Sequence, residues 1–362
     1  MNARASRRLT GGAVLLAILA LPLAGAALGG RPLGRFFQFP PPLEIPAAYP
    51  RFSWLWAALV VVPFAVLAIA WLRAARHLPV RRADENAPKP LPWWGVLSCG
   101  WTCAWWIMAW TRFPWFAAGQ RFTFFPLWLG FGVGINALSW RRTGSCLLVR
   151  APGRWVGLFA ASALFWWVFE WLNRFVGNWH YLGVEEFGPF GYAAHATLCF
   201  STVLPAVAAV SEWLHAQPHW AERCAAGPAL PVLTRPMTGL AFAAAGSVAL
   251  VLTGFEPQVL YPAVWLAPLL LIAGTGIASR QSGVWNELAR GDWRRAASWA
   301  LAALLCGFFW ELWNYHSLAK WIYTVPYADR WHFFEMPLLG YSGYLPFGLE
   351  CLVACDWIGA KM

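Results

Sequence analysis

Residues 308–350 read FFWELWNYHSLAKWIYTVPYADRWHFFEMPLLGYSGYLPFGLE. An apolar run that began upstream carries one carboxylate, Glu311, with Asn314 about one helical turn further on. A tryptophan-rich loop follows, and a second apolar helix is expected to open at Pro337. A related phrase lies upstream, WWVFEWLNRFVGNWHYLGVEEFGPFGY, residues 166–192. A charged residue in a membrane helix costs about 2.5–3.5 kcal/mol on insertion scales. Two of them at equivalent places call for a reason.

Of 362 residues 59% are hydrophobic and only 12% charged, against about 25% charged in a soluble domain. Lipid is the solvent that such a chain fits, and the expected fold class is all-α, a polytopic membrane bundle. The net charge of +11 sits in short loops between apolar runs. The positive-inside rule accounts for it without nucleic acid as a partner. Ten spans are expected, over residues 11–30, 53–72, 91–110, 125–140, 155–175, 193–215, 238–255, 262–279, 297–315 and 337–357. The segments assigned to the inside hold 19 of the 27 Lys and Arg. The expected location is a bacterial inner membrane, as a multi-pass protein with both termini cytoplasmic unless the signal segment is cleaved. Residues 11–30 read as a signal anchor or as a cleaved signal peptide.

The last eight spans read as two sets of four, an internal parallel repeat. Glu170-x-x-Asn173 answers to Glu311-x-x-Asn314, Trp179-x-Tyr181 to Trp321-x-Tyr323, and Pro189 and Tyr192 to Pro337 and Tyr341. The domains are therefore residues 1–90 (a two-helix segment), 91–215 (first repeat), 216–236 (cytoplasmic linker) and 237–362 (second repeat).

The two acids differ in their neighbours. Glu170 has Arg174 four residues on, so an ion pair on one helix face is expected. Glu311 has Tyr315 there, a hydrogen-bond donor without charge. Glu311 is thus the candidate catalytic acid, with Asn314 to orient it, and Glu170 and Asn173 are candidates for binding. Trp310, Trp313, Tyr315, Trp321 and Tyr323 are the candidate cover for an apolar substrate, since indole faces suit unsaturated or cationic groups. Glu350, deep in the last span, is expected to face Glu311. Other tryptophans, Trp179 among them, fit interfacial belts. The eight cysteines read as small packing residues. The histidines lack the spacing of a metal motif, so no metal is expected, and the sequence names no cofactor.

A helix-borne acid, then W-x-Y, then a proline opening the next helix resembles the lycopene cyclase-type membrane domains of carotenoid synthesis, which are small, multi-span and also duplicated. The resemblance implies a membrane enzyme of isoprenoid chemistry. It departs at the acids: the family's pair follows the proline, whereas Glu335 precedes Pro337, and Glu185 and Glu186 precede Pro189. The family's catalytic acids therefore have no counterparts here. The phrase FWELWN…KWIYTVP…FEMPLLGY also resembles a family of bacterial polytopic membrane proteins, from which no function is carried over. The expected functions are acid catalysis on a lipid or isoprenoid from the outer leaflet, carriage of a lipid or an apolar or amphipathic small molecule, or assembly with a membrane-protein partner.

Overall fold

Backbone amides and carbonyls have no water to turn to inside a bilayer, so a chain this apolar is driven to helix. The computed structural model, which describes residues 3–75, 89–280 and 283–357, is an all-helical polytopic bundle. Its main elements are α1 (Ala3–Leu28), α2 (Trp54–Ala75), α3 (Trp93–Trp110), α4 (Phe124–Thr143), α5 (Pro152–Val176), β1 (Trp179–Leu182), α6 (Pro189–Phe200), α7 (Val203–His215), α8 (Pro236–Phe255), α9 (Ala263–Ala278), α10 (Arg294–Tyr315), β2 (Lys320–Tyr323) and α11 (Tyr344–Trp357). Most of the basic loop expected over residues 73–90 lies outside the described residues.

Every one of the ten expected spans is helical, but not all are equally suited to cross. Seven are long and apolar enough, and an eighth arises if the Pro114–Phe122 turn and α4, bent by 69°, count together. The tryptophans of α3 lower its hydropathy, and α9, at 16 residues, reaches only about 24 Å.

Four details position the functional region. First, α1 is bound into the bundle. A Cβ on Gly25 would run into the Val251 carbonyl, and one on Gly254 into the Pro22 carbonyl, so α1 and α8 cross backbone to backbone. Trp171 also donates to the Leu19 carbonyl at 3.0 Å. Arg31 then caps two helices at once, donating to Gly254 O at 2.9 Å and Phe175 O at 3.0 Å at the ends of α8 and α5.

Second, the sixth expected span is broken. Between α6 and α7 the Ser162 hydroxyl donates to Phe200 O (2.6 Å) and accepts from Leu204 N (3.0 Å), stitching the gap from the neighbouring α5. Third, the two loops read as irregular form a short antiparallel ladder. Trp179 pairs with Tyr323, His180 with Ile322, Tyr181 with Trp321 and Leu182 with Lys320. The ladder satisfies backbone groups that the helix ends leave open. Last, α11 does not open at Pro337. That proline ends a two-residue strand, a tight turn follows over Leu338–Gly343, and the helix starts at Tyr344.

Candidate functional site

Side chains two apart on a strand share a face. Trp179 and Tyr181 therefore point the same way, as do Trp321 and Tyr323, and the symmetric register sets the four rings on one side of the ladder. Behind them stand the two acids. Glu170 Oε1 accepts from Trp166 Nε1 (3.0 Å), Trp179 Nε1 (3.0 Å) and Tyr181 OH (2.7 Å). Glu311 Oε1 accepts from Tyr323 OH (2.7 Å), Tyr344 OH (3.0 Å) and, at 3.4 Å, Trp321 Nε1. Trp321 Nε1 also donates to Tyr323 OH at 2.8 Å, closing a small network. Burial first and the neighbouring acid second push the Tyr181 and Tyr323 hydroxyls well above the ordinary tyrosine range, so both remain donors.

The asparagines do a different job from the one expected. Asn314 donates to Trp321 O (2.7 Å) and accepts from Trp321 N (2.8 Å). Asn173 donates to Trp179 O (2.8 Å) and accepts from Asn178 N (2.8 Å). Each clamps the backbone where its strand begins, and so delivers the tryptophan and tyrosine to the acid without touching the carboxylate.

Other expectations need correction. Arg174 makes no ion pair with Glu170. Its guanidinium donates to Phe36 O (2.7 Å) and Gln38 O (2.6 Å), because the chain after α1 passes within reach and offers uncapped carbonyls. Tyr315 is 41% exposed, packs on His316 and Phe334, and is not a donor to Glu311. The donors that replace it are Tyr323 and Tyr344. Trp313 is buried on the opposite face of α10, against Trp128 and Phe131. Glu350 is buried, and among the described residues its oxygens bond none of the Glu311 donors, so it does not join the Glu311 cluster. Trp179 is buried, not interfacial. Asp356, at the end of α11, pairs with Arg295 at 2.7 Å.

In front of the ladder lies a cavity of about 390 Å³, the size of a small-molecule site. Its inner wall is Trp166, Trp179, Trp310, Trp321, Tyr323 and Tyr344, which include most of the donors to the two acids. Trp265 forms a further side, its ring stacked on Phe169 at 5.2 Å and tilted against Trp179 at 5.5 Å. The lipid side is closed by α2 through Trp56, Leu59, Val60, Pro63 and Phe64. That helix is the least buried of the apolar spans, with Leu55, Val62 and Val66 more than half exposed. Glu311 is fully buried behind this wall and does not line the cavity.

His195 and Cys199 meet on the wall at 3.7 Å. The same His195 nitrogen lies 3.1 Å from Arg121 O, and a carbonyl can only accept. That nitrogen therefore carries its proton and is no base for the thiol. His180, His316 and His332 do not converge: His180 bonds Thr324 at 2.8 Å, His316 packs on Trp110, and His332 pairs with Asp329 at 2.7 Å. No group of three or more His, Cys, Asp and Glu able to hold a metal occurs among the described residues.

Sequence reasoning found both acids and the W-x-Y pairs. It missed Tyr344, Trp265 and the wall supplied by α2, which come from distant parts of the chain without a local signal. Comparison with protein-family models, with curated proteins and with solved structures finds no match to this chain.

Proposed function

We propose that this membrane protein binds a lipophilic small molecule taken laterally from the outer leaflet, and that the two acid clusters hold the walls of its site. The observation that carries this reading is the aromatic cavity bounded on one side by a single, mostly lipid-exposed helix. Such a boundary is the simplest route from bilayer to cavity. The volume suits one chain or one ring system and not a two-chain phospholipid. The matched Glu–Asn–Trp–Tyr contacts about a symmetric ladder support descent of the two halves from one duplicated unit, with the site on their shared axis. Basic loops on the side away from the ladder favour an inner membrane with that side in the cytoplasm.

Binding or carriage fits better than acid catalysis, because Tyr323 and Tyr344 stand between Glu311 and the cavity. The break between α6 and α7 beside the cavity adds weight to carriage, since broken helices border many transported ligands. One observation favours catalysis as a second reading. Glu311 Oε2 is buried and takes no hydrogen bond from the described residues, and its proton would reach an alkene only through a tyrosine hydroxyl, the route that isoprenoid chemistry of the kind carried out by lycopene cyclase-type domains would need here.

The test uses the protein in lipid nanodiscs and an ω-bromo alkane as a quencher of tryptophan emission. Saturable quenching that is lost in Ala196→Phe, which fills the cavity from α6, supports the reading. Quenching that rises linearly with probe and is the same in both proteins overturns it.

A further inference from the structure

A second, polar pocket of about 560 Å³ adjoins the aromatic cavity at the ladder end of the bundle. The two share Trp179, Tyr181, Val184 and Tyr192, so the partition between them is one side chain thick. The proline-rich segment over residues 40–46 roofs the polar pocket, and Tyr49, hydrogen-bonded to Asp329 at 2.5 Å, ties that roof to the far loop.

The pocket has three guanidinium groups in its walls, yet all are engaged. Arg31 bonds the carbonyls of Gly254 and Phe175, Arg174 those of Phe36 and Gln38, and Arg35 pairs with Glu44 at 2.8 Å. His180 is bonded to Thr324 and Asn173 is spent on the strand backbone. Glu170 is the exception. It lines the pocket, is only 6% exposed, and all three of its donors meet on Oε1. Oε2 takes no hydrogen bond from the described residues, and it differs from the Glu311 Oε2 in not being sealed off. As a carboxylate, Glu170 would offer that oxygen as an acceptor to a donor in the pocket.

Resting on the reading of the aromatic cavity as the apolar site, we infer that the ligand is amphipathic and that its head is a hydrogen-bond donor, a hydroxyl or an ammonium, received by Glu170 Oε2 in the polar pocket. The apolar part lies across the Trp179–Tyr181–Tyr192 partition in the aromatic cavity. An anionic head is disfavoured beside Oε2 itself, where the Glu170 carboxylate would repel it.

Glu170→Gln makes the inference sharp. The three donors on Oε1 force the amide to keep its carbonyl oxygen there, so the NH2 must replace Oε2 and face the pocket. The variant should therefore lose the preference for an ammonium, which can only donate, while a hydroxyl can still accept from the amide. The experiment measures saturable tryptophan quenching in nanodiscs by an ω-bromo alcohol, an ω-bromo amine, an ω-bromo alkyl sulfate and the headless ω-bromo alkane, all of one chain length.

The alcohol, the amine or both should bind wild type about tenfold more tightly than the headless chain, with the sulfate weaker than either. Which of the two binds tells a neutral head from a cationic one. Glu170→Gln should lose the amine's advantage and keep the headless chain. Equal affinities for all heads in wild type, a sulfate preference, or an amine advantage unchanged in Glu170→Gln overturn the inference and leave the cavity reading intact. Absence of saturable binding by every probe, the headless one included, overturns both. The wild-type ranking is decisive even if the variant cannot be purified.

Discussion

Replacing Tyr323 with phenylalanine tests whether the Glu311 cluster works as one network. The lost hydroxyl serves two partners: it donates to Glu311 Oε1 at 2.7 Å and accepts from Trp321 Nε1 at 2.8 Å. The variant leaves the indole only its 3.4 Å approach to the acid. Two buried polar groups lose their best partner, at about 1–2 kcal/mol each, so Tyr323→Phe should cost about 2–4 kcal/mol. Tyr344→Phe removes one bond of 3.0 Å and leaves Glu311 its shorter one, so about 1 kcal/mol is expected. With about 2 °C of melting shift per kcal/mol in a chain of this size, the two variants separate as about 4–8 °C against about 2 °C. The assay is thermal unfolding in one detergent at one scan rate, because membrane proteins often unfold irreversibly. The double variant leaves Glu311 only the long indole contact, and its cost should exceed the sum of the singles by about 1 kcal/mol. A shift for Tyr323→Phe no larger than that for Tyr344→Phe, or strict additivity, would refute the network.

Three further predictions follow from the packing. Gly254→Leu forces α1 away from α8 and should cost about 1–3 kcal/mol, whereas Gly12→Leu, at a position with open space around it, should melt as wild type; equal midpoints for both would remove the backbone crossing. Arg174→Met should speed amide exchange around residues 36–38, where its guanidinium holds two carbonyls, while leaving exchange at Tyr181 unchanged; faster exchange at Tyr181 instead would restore the ion pair with Glu170. Burial lowers the His180 pKa below its ordinary 6.5, so the unfolded chain binds that proton more readily than the folded one. Its contribution is complete above pH 6.5 and falls as the pH drops below that value; the melting midpoint of wild type should decline in that range more steeply than that of His180→Gln, and parallel curves would contradict this.

The fold was legible because lipid allows few solutions: apolar runs of spanning length could only become helices. The acids were legible because a carboxylate in such a run is conspicuous, and the spacing to W-x-Y repeats in both halves. The partners of those acids were less so. The neighbour rule at four residues named Arg174 and Tyr315, yet both sit at the end of their helix, where a side chain can turn outward to other carbonyls or rings. Of the true donors only Trp166 lies four residues off, on the N-terminal side of Glu170; the others lie nine to twelve residues away across a chain reversal, or on α11, and no periodicity announces that distance. The ladder escaped notice because four residues are too few for a strand pattern. The role of α2 escaped because its pattern is apolar all round, and only packing shows which side faces the cavity. Ser162 had no signal at all, since its part depends on a break in another helix.

A lipophilic ligand held in the aromatic cavity should travel with the purified protein. The most direct measurement is organic extraction of the purified protein followed by mass spectrometry, with wild type and Ala196→Phe prepared side by side. One lipophilic species should accompany wild type at about one molecule per chain, as expected for a pocket of this class, and should be absent from Ala196→Phe. Bulk membrane lipids in the same proportions from both proteins, with no species specific to wild type, would contradict the account.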